Sequence, residues 1–116
     1  MRNMSFILTK VQMYERRKSV TRRLGWWFLR PGDVIMAVEQ ARGLKKGERI
    51  KKIYPIEIVS VRTERLADIT QDDLSLEGFP EMTVPEFVNM FCATHKGCKP
   101  ETLVNRIEFR PLESDQ

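Results

Sequence analysis

Apolar positions along this chain come in short bursts, several of them alternating with polar ones, and few are long enough for an extended helix. The stretch "MSFILTKVQM" predicts a first strand over residues 4 to 8 that leads into a brief helical turn. "KSVTRR" reads as a second strand, because Ser19, Val20 and Thr21 together favour extended backbone. "LGWWFLRPGDVIMAVEQ" places a glycine turn, two tryptophans and a Pro-Gly-Asp turn at Arg30 to Asp33 ahead of a third strand, Val34 to Glu39.

"ARGLKKGERI", with Gly43 and Gly47 among cationic residues, suits an exposed loop. From Ile50 to Val61 the pattern is again mostly strand, with Pro55 demoting its centre to an edge or a bulge. "TQDDLSLEGF" predicts a short helix: Thr70 as N-cap, Asp72 and Asp73 in the first turn, Gly78 as the stop. "TVPEFVNMFCATHKG" repeats the device with Thr83 as cap, Pro85 in the first turn, and Phe87, Val88, Phe91 and Cys92 forming a core-facing stripe. "TLVNRIEFRPL" closes as a strand through Val104, Ile107 and Phe109, and the tail "ESDQ" is expected to fray. The fold class that follows is α+β: a small mixed β-barrel of about five to six strands, with short helices inserted before the last one.

At 116 residues the chain is expected to be a single domain, residues 1 to 116, with its core spanning about 4 to 111. An apolar share of 41% and a charged share of 31% exclude the disordered and fibrous classes. No stretch approaches the roughly 20 apolar residues of a membrane span, and the N-terminus lacks a secretory pattern, so a cytoplasmic protein without membrane contact is expected. Cys92 and Cys98 are too few for a disulfide scaffold and are expected as thiols. Together with His95 they spell C-x-x-H-x-x-C, but no fourth Cys or His exists to complete a structural zinc site, so no metal is assigned.

The net charge of +4 is unevenly spread. Arg16, Arg17, Lys18, Arg22, Arg23 and Arg30 form one basic cluster and Arg42, Lys45, Lys46, Arg49, Lys51 and Lys52 another. Between Glu64 and Glu86 the sign reverses, with Arg65 the sole cation. Basic blocks of this kind point to a polyanionic partner, a nucleic acid or nucleotide. The loop carrying Lys45 and Lys46 can track a phosphate backbone or be a solvated hairpin tip. Trp26 and Trp27 can stack on a base or pack in the core; one pointing in and one lining a cleft is the expectation. The acidic segment, residues 64 to 91, offers a surface for a protein partner.

Lys18, Thr21 and Arg23 follow a Lys-x-x-Thr-x-Arg spacing, and Pro31-Gly32-Asp33 enters a strand some ten residues later. The acidic "ITQDDLSLEGFPEMTVPEFVNMF" precedes the last strand. In this order the features resemble the ASCH domain, a branch of the PUA-like superfamily, in particular its small single-domain bacterial and phage versions. The resemblance covers roughly residues 4 to 111. It departs at Arg16, where the family motif usually has glycine. It implies a twisted β-barrel whose cleft receives RNA or a modified nucleoside, with no cofactor. Some small members are similar to enzymes that hydrolyse N4-acetylcytidine to cytidine and acetate through a lysine, a threonine and a glutamate. On this chain those are Lys18, Thr21 and Glu77, with Glu81 and Asp73 as the alternatives for the acid.

A threonine nucleophile needs a base, and a lysine serves as one only with a lowered pKa. Arg17, Arg22 and Arg23 crowd Lys18 and are expected to supply that shift, while Arg23 also suits an oxyanion or a phosphate. Strand alternation puts Thr21 and Arg23 on one face and Lys18 on the other, so Lys18 must lie before the regular strand to meet them.

Overall fold

In the computed structural model, which describes residues 1–112, five strands make one mixed sheet. They are β1 (Asn3–Ser5), β2 (Val20–Arg23), β3 (Val34–Val38), β4 (Lys52–Arg65) and β5 (Leu103–Pro111), in the order β1-β3-β4-β5-β2. β1 lies parallel to β3 and the remaining pairs are antiparallel. α1 (Lys10–Tyr14) joins β1 to β2, while a 3-10 turn (Leu66–Asp68), α2 (Gln71–Glu77) and α3 (Val84–Ala93) are inserted between β4 and β5. The tail expected to fray, 113 to 116, lies outside the described residues.

The expected α+β fold, with helices inserted before the last strand, is present, and its sheet is not closed. β1 is three residues long, and after the Phe6 N–H donates to Val38 O (3.0 Å) the chain turns off into α1, leaving no backbone to complete a ladder with β2. The two edges are instead bridged by a side chain: Arg23 Nη2 donates to Ser5 O at 2.7 Å.

Two apolar clusters hold the layers together. Met4, Phe6, Ile35, Ile56, Ile107 and Phe109 form one, and Leu66, Leu74, Phe87, Phe91 and Val104 form the other beneath α2 and α3. β5 serves both, which explains its irregular spacing in the sequence: Val104 and Ile107 point to opposite faces because both faces are covered.

The helix ends are built as their sequences predict. The Thr70 hydroxyl accepts from Asp73 N, Gly78 takes the left-handed conformation (φ 98°) that ends α2, and Thr83 forms a reciprocal capping box with Glu86. Pro55 departs from expectation, since it stands in the interior strand β4 between β3 and β5. A strand residue's N–H and C=O point the same way. Pro55 O accepts from Leu112 N (2.9 Å) just past the end of β5, so the missing N–H falls where the ladder has run out. Among the described residues no helix is long and apolar enough to cross a membrane.

Candidate functional site

α2 ends against the segment that precedes β2, and this contact assembles the site. The last carbonyls of a helix lack intrahelical partners. Here Leu76 O accepts from Ser19 N at 2.9 Å, Glu77 O from Lys18 Nζ at 2.8 Å, and Gly78 O from Gln12 Nε2 at 3.2 Å. A cation at a helix C-terminus is also favoured by the dipole. Lys18 Nζ then donates to Glu77 Oε1 at 2.7 Å, with both side chains 3% exposed. The parity condition is thereby met: Lys18 lies two residues ahead of β2 and approaches Glu77 from outside the strand.

Burial is the main force that lowers the Lys18 pKa below its ordinary 10.5; Glu77 pulls the other way, and Arg23 and Arg22 add smaller downward pushes. Arg17, expected to share in this, is exposed and paired with Glu15 at 2.7 Å. Desolvation thus replaces arginine crowding as the principal cause.

Thr21 is 3% exposed, and its hydroxyl accepts from Arg23 Nε at 3.1 Å. Arg23 also lies over the Phe6 ring, 4.8 Å from its centroid. Its burial lowers the guanidinium to about 10, which leaves it charged at neutral pH.

Beneath the site runs a buried ionic chain that sequence reasoning missed. Arg22, expected to hold nucleotide, has a side chain only 1% exposed and donates to Glu77 (3.2 Å), Glu64 (2.9 Å) and Asp73 (2.5 Å). Arg106 donates to both Asp73 oxygens, at 2.7 and 3.1 Å. Arg22 and Arg106 face each other in the β2/β5 register, a like-charge cross-strand pair that Asp73 bridges. The two guanidiniums, Arg106 first, hold the Asp73 carboxyl down to about 2. The oppositely charged blocks of the sequence thus partly neutralise each other inside the fold.

Lys18, Thr21, Arg22, Arg23 and Glu77 all line one cleft of about 330 Å³, set at the seam between β1 and β2. Its other wall is aromatic: Phe79, Phe87, Phe91 and His95 succeed one another with ring centroids 6.1, 6.2 and 4.2 Å apart. His95 stacks on Phe91 and donates from Nδ1 to Phe91 O (2.8 Å). Cys92 and Cys98 pack partly buried against the cluster under α3, and burial pushes the Cys92 thiol up, away from the reactive range.

The remaining candidates lie apart from this cleft. Glu81 is exposed, and Asp73 is engaged with the two arginines. Trp26 is half-buried against the core and borders a neighbouring hollow, while Trp27 is 54% exposed and lines neither. Lys45 and Lys46 sit exposed on the long loop between β3 and β4.

No protein-family model and no curated protein matches the chain. Solved structures do. An ASCH domain from Lactobacillus crispatus JV V101 superposes with a TM-score of 0.61 at 16% identity, over 95% of this chain and 79% of that one. This chain has an ASCH-like fold. A DUF984 protein from Enterococcus faecalis V583 matches with a TM-score of 0.60 at 14% identity, over 87% of this chain, which spans only 65% of that protein's length. The hypothetical protein PH0355 matches with a TM-score of 0.62 at 16% identity over 97% of this chain and all of that one.

Arg16 has a left-handed backbone (φ 60°), a conformation that glycine adopts without strain, in the turn that leads to Lys18. The guanidinium lies 4.5 Å from the Tyr54 ring centroid, a compensating cation–π contact. Arg16→Gly and Arg16→Ala both forfeit that contact, but only alanine keeps the strain. Urea unfolding is expected to find the glycine variant about 1 kcal/mol more stable than the alanine variant. Equal midpoints would mean that the turn carries no strain.

Proposed function

We propose that this is a cytoplasmic protein whose cleft binds a modified nucleoside, free or within RNA, and hydrolyses an N-acyl amide on its base, N4-acetylcytidine being the model substrate. The observation that carries the reading is a buried lysine amine 2.7 Å from Glu77, in one cleft with a threonine hydroxyl that already accepts a hydrogen bond from an arginine.

Glu77 O and Oε1 take two Lys18 hydrogens, the full complement of a neutral amine. Neutral Lys18 then retains only its lone pair for a further partner, and burial favours that neutral form. With Arg23 donating to its oxygen, Thr21 has its proton free to give. In the reaction, Thr21 Oγ attacks the acyl carbonyl as Lys18 takes that proton, and remaining guanidinium N–H groups of Arg23 suit the developing oxyanion. Lys18 returns the proton to the departing N4 amine, releasing cytidine. Water, deprotonated by Lys18, then attacks the threonine ester; as the C–Oγ bond breaks, Lys18 returns the proton to Thr21 Oγ and acetate is released. The aromatic wall suits a base or an acyl methyl.

Thr21→Val keeps the shape of the strand and removes the nucleophile. Incubation with N4-acetylcytidine followed by chromatography is expected to show cytidine with the parent protein and at least about a thousandfold less with the variant. No cytidine from the parent, at concentrations where an active amidohydrolase succeeds, would reject the reaction. Retained nucleoside affinity would then leave binding alone. A protein partner on the acidic segment, residues 64 to 91, gains less support, because Glu64, Asp73 and Glu77 are engaged in internal ion pairs.

A further inference from the structure

A second hollow, about 390 Å³, adjoins the first. The two share Ser5, Ile7 and Arg23, so the Arg23 side chain, tied to Ser5 O, forms the partition between them. The far side of the second hollow carries Trp26, Gln40 and Arg42. Gln40 Nε2 donates to Arg42 O at 2.7 Å and so fixes the backbone from which the exposed Arg42 side chain projects.

Trp26 is held in an unusual way. It has a left-handed backbone (φ 58°) directly after Gly25 (φ 121°), a conformation that bulky side chains avoid. Asn105, buried in β5, maintains it by donating from Nδ2 to Trp26 O (3.0 Å) and Gly25 O (3.5 Å). Backbone strain of this kind persists where surrounding structure enforces it, and it concentrates at ligand sites. Here it sets Trp26 in a hollow that Arg23 and Arg42 also line. The proposed hydrolysis uses Arg23 but neither Trp26 nor Arg42.

An aromatic face flanked by arginines recognises a base and its phosphate: the base stacks on the indole, and the phosphate takes paired guanidinium donors. Because Arg23 borders both hollows, a phosphodiester lying at the partition puts successive nucleotides on either side of it. We propose that the second hollow is a subsite for the nucleotide adjacent to the one in the main cleft, with its base on Trp26 and the linking phosphate between Arg23 and Arg42. The ligand is thereby a single-stranded oligonucleotide in preference to a free nucleoside. This rests on the nucleoside reading of the main cleft.

The test is calorimetric or fluorescence binding of cytidine, N4-acetylcytidine, and di- and tetraribonucleotides containing either base, with the parent protein, Arg42→Ala and Trp26→Gly. Glycine accepts the left-handed backbone, so the latter variant relieves strain as it removes the indole, and circular dichroism checks that it is folded. The dinucleotide is expected to bind at least tenfold more tightly than the nucleoside. Arg42→Ala removes most of that gain while nucleoside affinity stays unchanged, Trp26→Gly also reduces the gain, and the gain shrinks as salt is raised. A dinucleotide that binds no better than its nucleoside, or a gain indifferent to both substitutions, overturns the subsite. Oligonucleotide binding sensitive to Arg42→Ala, with no nucleoside affinity, upholds the subsite and rejects the reading of the main cleft. If neither kind of ligand binds, both fall.

Discussion

An Asp73→Ala variant is expected to unfold roughly 12–20 °C below the parent protein. Asp73 is the bridge between Arg22 and Arg106, which oppose each other on β2 and β5. Removing one member of a buried ion cluster costs about 3–5 kcal/mol, because the partners are left desolvated and, in this case, facing a like charge. For a domain of this size each kcal/mol is worth about 4 °C. The variant keeps the Thr70 cap, since Asp73 supplies only its backbone N–H to that bond. A fall of less than about 5 °C would mean that Arg22 is held by Glu64 and Glu77 alone. The same carboxylate leaves a mark on acid stability. Its pKa is about 2 in the folded chain against 3.8 unfolded, so its contribution is complete above pH 3.8 and disappears as pH falls through about 2. That contribution is about 2 kcal/mol, and Asp73→Asn is expected to flatten the stability profile over this window.

Lys18→Arg is expected to lose about 10²- to 10⁴-fold in cytidine release while remaining folded. Arginine preserves a cation for Glu77 and for the end of α2, but it does not deprotonate at accessible pH, so it separates a base from a structural charge. In the parent protein, kcat/KM should rise with pH through a midpoint below the ordinary 10.5, because the neutral amine is the active form and burial favours it. The arginine variant should lack that limb. Activity retained in Lys18→Arg with an unaltered profile would remove Lys18 from the chemistry and leave it as a helix-capping cation. Lys18→Met, which withdraws the charge as well, should be both inactive and less stable.

What the sequence disclosed is local in origin. The caps of α2 and α3 are legible because Thr70, Gly78 and Thr83 act within a few residues of themselves, and the strand from Val34 needs only its preceding turn. The motif Lys18, Thr21 and Arg23 marked the cleft because its spacing is short. Two features resisted. Pro55 looks like an edge residue to any rule that cannot see where β5 stops. Arg22, Asp73 and Arg106 are separated in sequence by 51 and 33 positions, and nothing in their neighbours announces that they meet. Charge segregation read along the chain as an invitation to an outside polyanion was in part a signal of internal neutralisation. For the same reason Arg22 was assigned to ligand when its guanidinium serves the carboxylates.

The contact between Lys18 and Glu77 spans 59 positions, and those between Arg22 and its three acids span 42 to 55. During synthesis, then, the cations emerge long before the anions that neutralise them. A nascent chain halted ahead of α2 must keep its first basic cluster hydrated, so the hollow forms late, and completion of the polar floor becomes a checkpoint on correct assembly of the whole polypeptide.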